Sequence, residues 1–210
     1  PGVASLDNLG IPESGDGIAD LLQEVKWEAD FLAKLQDTDG GFYYAVFPRD
    51  RRFDGNVLPS NGDVQIVLPK NIVATAAAVG ALADIGSSPA FRAAYGAAVG
   101  DDYIAKALSG WGFLAATIDT NNDSNVTAAE IAAGYQKLSA YGDAFGPNDE
   151  LAYAAAALFA ATGNSTFEGF LKQLAPDPSS PELITQGYIQ LWEAWGSAFR
   201  SYAFATRTGR

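Results

Sequence analysis

The stretch from Gly10 to Phe42 constrains the fold more than any other part of the chain. Ile18, Leu21, Leu22, Val25, Ala29, Leu32 and Leu35 recur at three- and four-residue steps, which places them on one face of a helix. The spacing predicts a helix over 16–36, with Asp16 as its cap and Asp20 in a first turn where the helix dipole favours an acid. Asp39-Gly40-Gly41 stops it. A helix that is apolar along one side needs a partner to cover that side.

The same rhythm of helix and loop continues. Asn71 opens an Ala-rich helix over 72–84, Pro89 starts one over 89–98 and Asp101 one over 101–118. Further helices are predicted over 127–138, 148–162, 165–174 and 186–207, the last interrupted near Gly196. Residues 37–70 form a long connection in which Phe42–Phe47 and Val64–Val67 read as short strands of a hairpin. Trp27 and Trp111 read as core residues, and Trp192 and Trp195, one turn apart, as wedges between helices. The fold class is all-α, a bundle of paired helices.

Composition narrows the chemistry. The 210 residues carry 13 Lys and Arg against 25 Asp and Glu, a formal net charge of −12, so a nucleic-acid partner is not expected. No apolar run reaches the length of a membrane span, and no membrane partner is expected. Cys and His are both absent, which removes disulfides, thiolate chemistry, Ser-His-Asp machinery and every His-ligated metal site. Any chemistry rests on carboxylates, carbonyls, hydroxyls, Lys or Arg. Met is absent too, so Pro1 is not a translation start, and the chain reads as a processed product or a piece of a longer one.

Residues 119–130 fit the twelve-residue EF-hand calcium loop. Asp119, Asn121 and Asp123 supply oxygens at its first, third and fifth positions. Asn125 offers its main-chain carbonyl at the seventh, and Glu130 can clamp with both oxygens at the twelfth. Ser124 stands at the sixth position, where the turn expects Gly. The bland reading of the same letters is a polar turn followed by a capping box, Thr127-Ala128-Ala129-Glu130.

Ile11-Pro12-Glu13-Ser14-Gly15-Asp16-Gly17, Asp20-Leu21-Leu22, Lys26-Trp27-Glu28 and Leu35-Gln36-Asp37 follow one another in a pattern that holds more than a helix needs. Together they resemble the segment of glycoside hydrolase family 9, the cellulases and related β-glucanases, that follows the catalytic aspartate loop. Asp149-Glu150-Leu151, before the second Ala-rich helix, falls where that family has its next landmark. The resemblance implies a partial (α/α)6 barrel, a six-hairpin glycosidase-like toroid, with the EF-hand-like loop as an insertion. Residues 1–210 would then be the central portion of one catalytic domain, whose partners are a β-glucan substrate and the remainder of the same domain. It implies a secreted enzyme that hydrolyses β-1,4-glucosidic bonds of cellulose or related β-glucans with inversion, one Asp activating water and one Glu protonating the leaving oxygen.

The family's Asp-Ala-Gly-Asp-Tyr type loop and its distal acid Glu have no counterpart in this chain, so no catalytic residue is assigned. Glu13, next to that loop in the family's order, is expected to shape the floor. By position the resemblance carries substrate contact to Tyr141 and Tyr43, although the family's familiar His beside the latter is missing. It carries a structural Ca2+ to Gly146, Asp149 and Glu150, with Phe145 standing where the family often has Ser. Without a metal, Asn148 would cap the following helix and the two acids would complement its dipole. The alternative to an enzyme is a non-catalytic, calcium-binding helical module that binds carbohydrate or docks on a scaffold.

Overall fold

A computed structural model of the chain describes residues 6–49, 60, 62–134, 146–177, 179 and 193–205. Eight helices and one two-stranded hairpin lie among them. The helices are α1 (Asp20–Lys34), α2 (Ile72–Ser87), α3 (Pro89–Tyr95), α4 (Ala97–Ile118), α5 (Ala128–Gly134), α6 (Asn148–Thr162), α7 (Ser165–Leu174) and α8 (Trp195–Phe204). Strands β1 (Val46–Pro48) and β2 (Gln65–Val67) pair antiparallel, with Phe47 opposite Ile66.

The Ala-rich helices form the centre because their side chains are small enough to be enclosed on nearly every side. In α6, Ala152 and the run Ala154–Leu158 are fully buried, and in α2 so are Ala76, Val79, Leu82 and Ala83. Close approach also needs Gly80, because a Cβ there would lie 2.4 Å from the Tyr153 ring. Gly80 beside Tyr153, and Ile85 and Ala160 along one groove, show that α2 and α6 run in the same direction. Asp149 meets Ala194 and Phe159 meets Tyr202, so α8 runs parallel to α6 as well.

A second layer covers this row. Val79 faces Gly110 and Gly86 faces Gly100, so α4 lies antiparallel on α2. Trp111 of α4 packs edge-on against Phe167 and Phe170 of α7 at 5.3 and 5.2 Å between ring centres. The Tyr103 hydroxyl of α4 donates to Asp30 of α1 at 2.6 Å, and the Gln36 amide reaches the Lys106 carbonyl at 2.8 Å. Each fully buried Leu, such as Leu82, Leu114, Leu151 and Leu158, contributes on the order of 1.5–3 kcal/mol by leaving water.

Several predicted boundaries shift for identifiable reasons. α1 begins at Asp20 and not Asp16, with Ala19 at its cap position and no side-chain capping bond. Asp16 accepts from the Ile18 amide in the preceding loop and from the Gln23 side chain of α1. Asp20 does more than complement a dipole: it is fully buried and accepts from the Leu9 amide and the Ser14 hydroxyl, while Asp7 accepts from Gly15 and Gly17. The loop before α1 is thus folded around two carboxylates. α4 starts at Ala97, directly after Gly96 closes α3 at φ 87°. Asn71 caps α2 as expected, accepting from Ala74 at 2.8 Å. Asn148 is the first residue of α6, not its cap, and Pro147 stands before it.

Trp111 is core, at 7% exposure, but Trp27 is not: it stands 69% exposed on the outer face of α1. Phe31 shares that face, because α1 carries apolar residues on two sides of the helix and the structure covers one. Trp195 opens α8 and stacks near Phe199, whereas Trp192 lies outside the described residues.

Candidate functional site

The parallel inner row decides where the expected site residues fall. The N-termini of α2 and α6 lie at one end, and α4, antiparallel to α2, delivers its C-terminus to that same end. The Asp37–Tyr43 turn, the loop after α4 and the Gly146–Glu150 segment are therefore neighbours on one end of the bundle. Glu13 is at the opposite end, on a surface depression of about 540 Å³ that it shares with Asp16, Lys26, Trp27, Asp30 and Tyr95. Tyr141 lies outside the described residues.

Tyr43 is half-buried in a turn held by one lysine. Lys70 Nζ lies 2.6 Å from Asp37 Oδ2 and 2.7 Å from Asp39 Oδ2, and sits over the rings of Tyr43 and Phe113 at 5.7 and 5.9 Å. The Tyr43 hydroxyl donates to Asp37 at 3.1 Å. Hydrogen bonds from Lys70, the Thr38 amide and Tyr43 hold the Asp37 carboxyl at about 2, and the same carboxylate pushes the Tyr43 phenol up. Gly40, at φ 91°, packs onto the Ser109 backbone so tightly that no side chain fits. A cavity of about 310 Å³ opens beside the turn, lined by Pro69, Lys70, Asn71, Phe113 and Thr117 among others. This arrangement can present an aromatic face and an ammonium group to a polar ligand.

Lys70 was not visible as a site residue in the sequence. It is a lone basic residue after Pro69, and its two acid partners lie 31 and 33 positions upstream. The only hint was Asp37 and Asp39 flanking the turn, two acids that require a cation when held together.

The loop after α4 winds around its own side-chain oxygens. Asp119, buried at 7% exposure, accepts from the Asp123 and Ser124 amides at 3.0 Å each. Asn121 accepts from the Asp123 amide and Asp123 from the Asn125 amide. Ser124 adopts φ 62°, the left-handed conformation for which Gly is expected at that position. Glu130 is turned onto Thr127: it accepts from the Thr127 amide and hydroxyl, and the Thr127 hydroxyl accepts from the Glu130 amide, a complete capping box. Those bonds hold the Glu130 carboxyl below its usual range.

At the start of α6, Asp149 is buried and accepts from the Ala194 amide at 2.6 Å. Glu150 has one oxygen buried without a hydrogen-bond partner among the described residues, and burial, with Asp149 beside it, pushes its carboxyl well above the usual range. An acid in that state is suited to a proton or a cation. Gly146 stands exposed just before the helix. Among the described residues no three carboxylates already stand together as a metal-holding group.

The family model described as glycosyl hydrolase family 9 matches residues 8–207. The chain belongs to glycosyl hydrolase family 9. No curated protein matches it. Among solved structures it is similar to a metagenome-derived family 9 endoglucanase, at 24% identity and a TM-score of 0.58, over 93% of this chain and 32% of that one. It is similar to a Bacteroides ovatus family 9 protein at 22% identity and a TM-score of 0.63, over 99% and 36% of the two chains. A Zn-binding triple mutant of a family 9 endoglucanase matches at 17% identity and a TM-score of 0.60, over 95% and 34%. The chain spans about a third of the length of these structures. At such identities the likeness shows the fold: the parallel inner row with its covering layer is part of the family 9 (α/α)6 barrel. No single helix among the described residues is long and apolar enough to cross a membrane.

Proposed function

We propose that the chain is the central portion of a secreted family 9 catalytic domain that hydrolyses β-1,4-glucosidic bonds of cellulose or a related β-glucan with inversion. The observation that carries this reading is the family match over residues 8–207. Inverting hydrolysis needs a general base to deprotonate water on one face of the sugar and a general acid on the other, far enough apart for the water to fit. The chain has no Asp-Ala-Gly-Asp-Tyr stretch to supply the base and no residue in the acid's place, so both belong to the remainder of the domain. This chain's part is to shape one side of the cleft. Tyr43, with its ring fixed under Lys70 and its hydroxyl on Asp37, offers a flat face to a glucose ring, and Tyr141 is assigned a second contact with the glucan.

Two calcium sites belong to this reading, both structural. In the 119–130 loop, Asp119, Asn121, Asp123, the Asn125 carbonyl and Glu130 would hold the ion; the hard-oxygen chemistry and the turn at Ser124 fit it, while Glu130 faces Thr127. At the start of α6, the Gly146 carbonyl, Asp149 and Glu150 would hold a second, and the unpartnered Glu150 oxygen is what a cation would satisfy. A bound Ca2+ in either place would tie loop to helix and take no part in bond cleavage.

The test is hydrolysis of carboxymethyl-cellulose and cello-oligosaccharides by this chain and by a version lengthened in both directions with its flanking coding sequence. The expected result is no activity in the first and β-glucanase activity with inverted product in the second. Inactivity of the lengthened protein removes the enzymatic reading and leaves the non-catalytic module.

A further inference from the structure

The loop after α4 is gripped from outside by one side chain. The Gln173 amide, near the end of α7, accepts from the Val126 amide at 3.0 Å and donates to the Ser124 carbonyl at 3.1 Å. Its carbonyl and amino groups thus play the part of a neighbouring strand's backbone. The two bonds fall on either side of Asn125. They fix the peptide groups that flank the only residue of the loop whose main-chain oxygen, and not its side chain, is required as a ligand.

Gln173 is itself well anchored. Its helix buries Phe170, Leu171 and Leu174, and Phe170 packs on Trp111 of α4. Residue 119 follows directly on α4, whose last residue, Ile118, is fully buried. The loop is therefore fastened at its start by α4 and at its middle by α7, and these two helices are locked together by aromatic rings. Ser124 needs such support, since a non-glycine residue at φ 62° costs free energy that its neighbours must offset.

We propose that Gln173 is the positioning residue of the 119–130 loop, its amide clamping Ser124 and Val126 so that the Asn125 carbonyl is presented to a hard divalent cation. This rests on the reading of the loop as a calcium site. The side chain does not touch the ion. It acts by lowering the entropy the loop would lose on closing around it, which is the usual advantage of a preorganised site.

Calorimetric titration of the 210-residue chain with CaCl2, after EDTA treatment, tests both ideas separately. To isolate the loop, the Glu150→Gln variant serves as background. Gln173→Leu removes both bonds. Gln173→Glu keeps an acceptor for the Val126 amide but has no donor for the Ser124 carbonyl. The expected result is a calcium dissociation constant raised by about three- to tenfold in Gln173→Leu, the effect of one or two solvent-facing hydrogen bonds, with a melting temperature in EDTA close to that of the background. Gln173→Glu, titrated in about 1 M KCl so that its added charge is screened, should fall on the same side. Unchanged affinity in both variants, or a melting temperature lowered equally with and without Ca2+, overturns the proposal while the calcium site stands. Absence of calcium binding by the background, with Glu130→Gln identical to it, overturns the site reading and the proposal with it. If Gln173→Leu fails to fold, the affinity of Gln173→Glu decides.

Discussion

Lys70 Nζ lies 2.6 Å from Asp37 Oδ2, joining the turn after α1 to the residue before the cap of α2 across 33 positions of sequence. The contact is short, and Asp39 reinforces it from the other side of the turn. It does for this end of the bundle what a hydrophobic core cannot do near the surface: it sets where a ring and a charge stand relative to each other.

The pair makes stability depend on acid in a definite window. Asp37 is held at about 2, below its ordinary 3.8. A carboxyl with a depressed folded-state value contributes stability that is complete above the unfolded value and is lost as pH falls through the folded one. The urea midpoint of the wild type should therefore drop between pH 4 and pH 2 more steeply than that of Asp37→Asn. Parallel curves for the two proteins across that range would remove the linkage.

Gly80 should resist a change that ordinarily helps. Replacing a glycine inside a helix with alanine usually gains up to about 1 kcal/mol. Here the new methyl would meet the Tyr153 ring, whose hydroxyl donates to Asp84 at 3.1 Å in a partly buried position. Gly80→Ala should lose on the order of 1–3 kcal/mol, the range for overpacking a core. Denaturant unfolding measures the sign directly.

The loop after α4 should report calcium through stability. Millimolar Ca2+ should raise the melting temperature of the wild type by mass action on the folded state. Glu130→Gln should remove much of that rise, since it takes away the charge and one of the two oxygens at the loop's end while leaving an acceptor for Thr127. An equal rise in both proteins in a thermal scan would place the effect elsewhere.

The outer face of α1 should make the isolated chain associate. Trp27 and Phe31 stand exposed there at 69% and 43%. The double substitution Trp27→Ser with Phe31→Ser should lower the apparent mass by sedimentation at high concentration and leave the melting temperature nearly unchanged. A large loss of stability instead would mean that the face is covered within one molecule.

Helices were legible because their apolar periodicity and caps are local. Asn71, with its side chain on Ala74, is the clearest case. The start of α1 was misplaced because Asp16 is a plausible cap by type, while Asp20 is recruited by Leu9 and Ser14 from the preceding loop. Trp27 was misjudged for a related reason: a tryptophan on an amphipathic helix is usually enclosed, and which side is enclosed depends on neighbours that periodicity does not name. The oxygen-rich spacing of residues 119–130 was legible in the sequence, and Ser124 stands within it at φ 62°. Lys70 and Gln173 were not, since each acts on residues more than thirty positions away and belongs to no motif.

The common direction of α2, α6 and α8 has an electrostatic consequence. Their peptide groups add, so the end that carries Tyr43 and Lys70 is the positive pole of the inner row. Acids gather there, Asp149 and Glu150 in the first turn of α6 and Asp37 and Asp39 near the start of α2. In a chain of net charge −12, this pole is where negative side chains repel one another least. The dipole of the row thus adds to the Lys70 ammonium, and together they let four carboxyl groups crowd at one end of the fold.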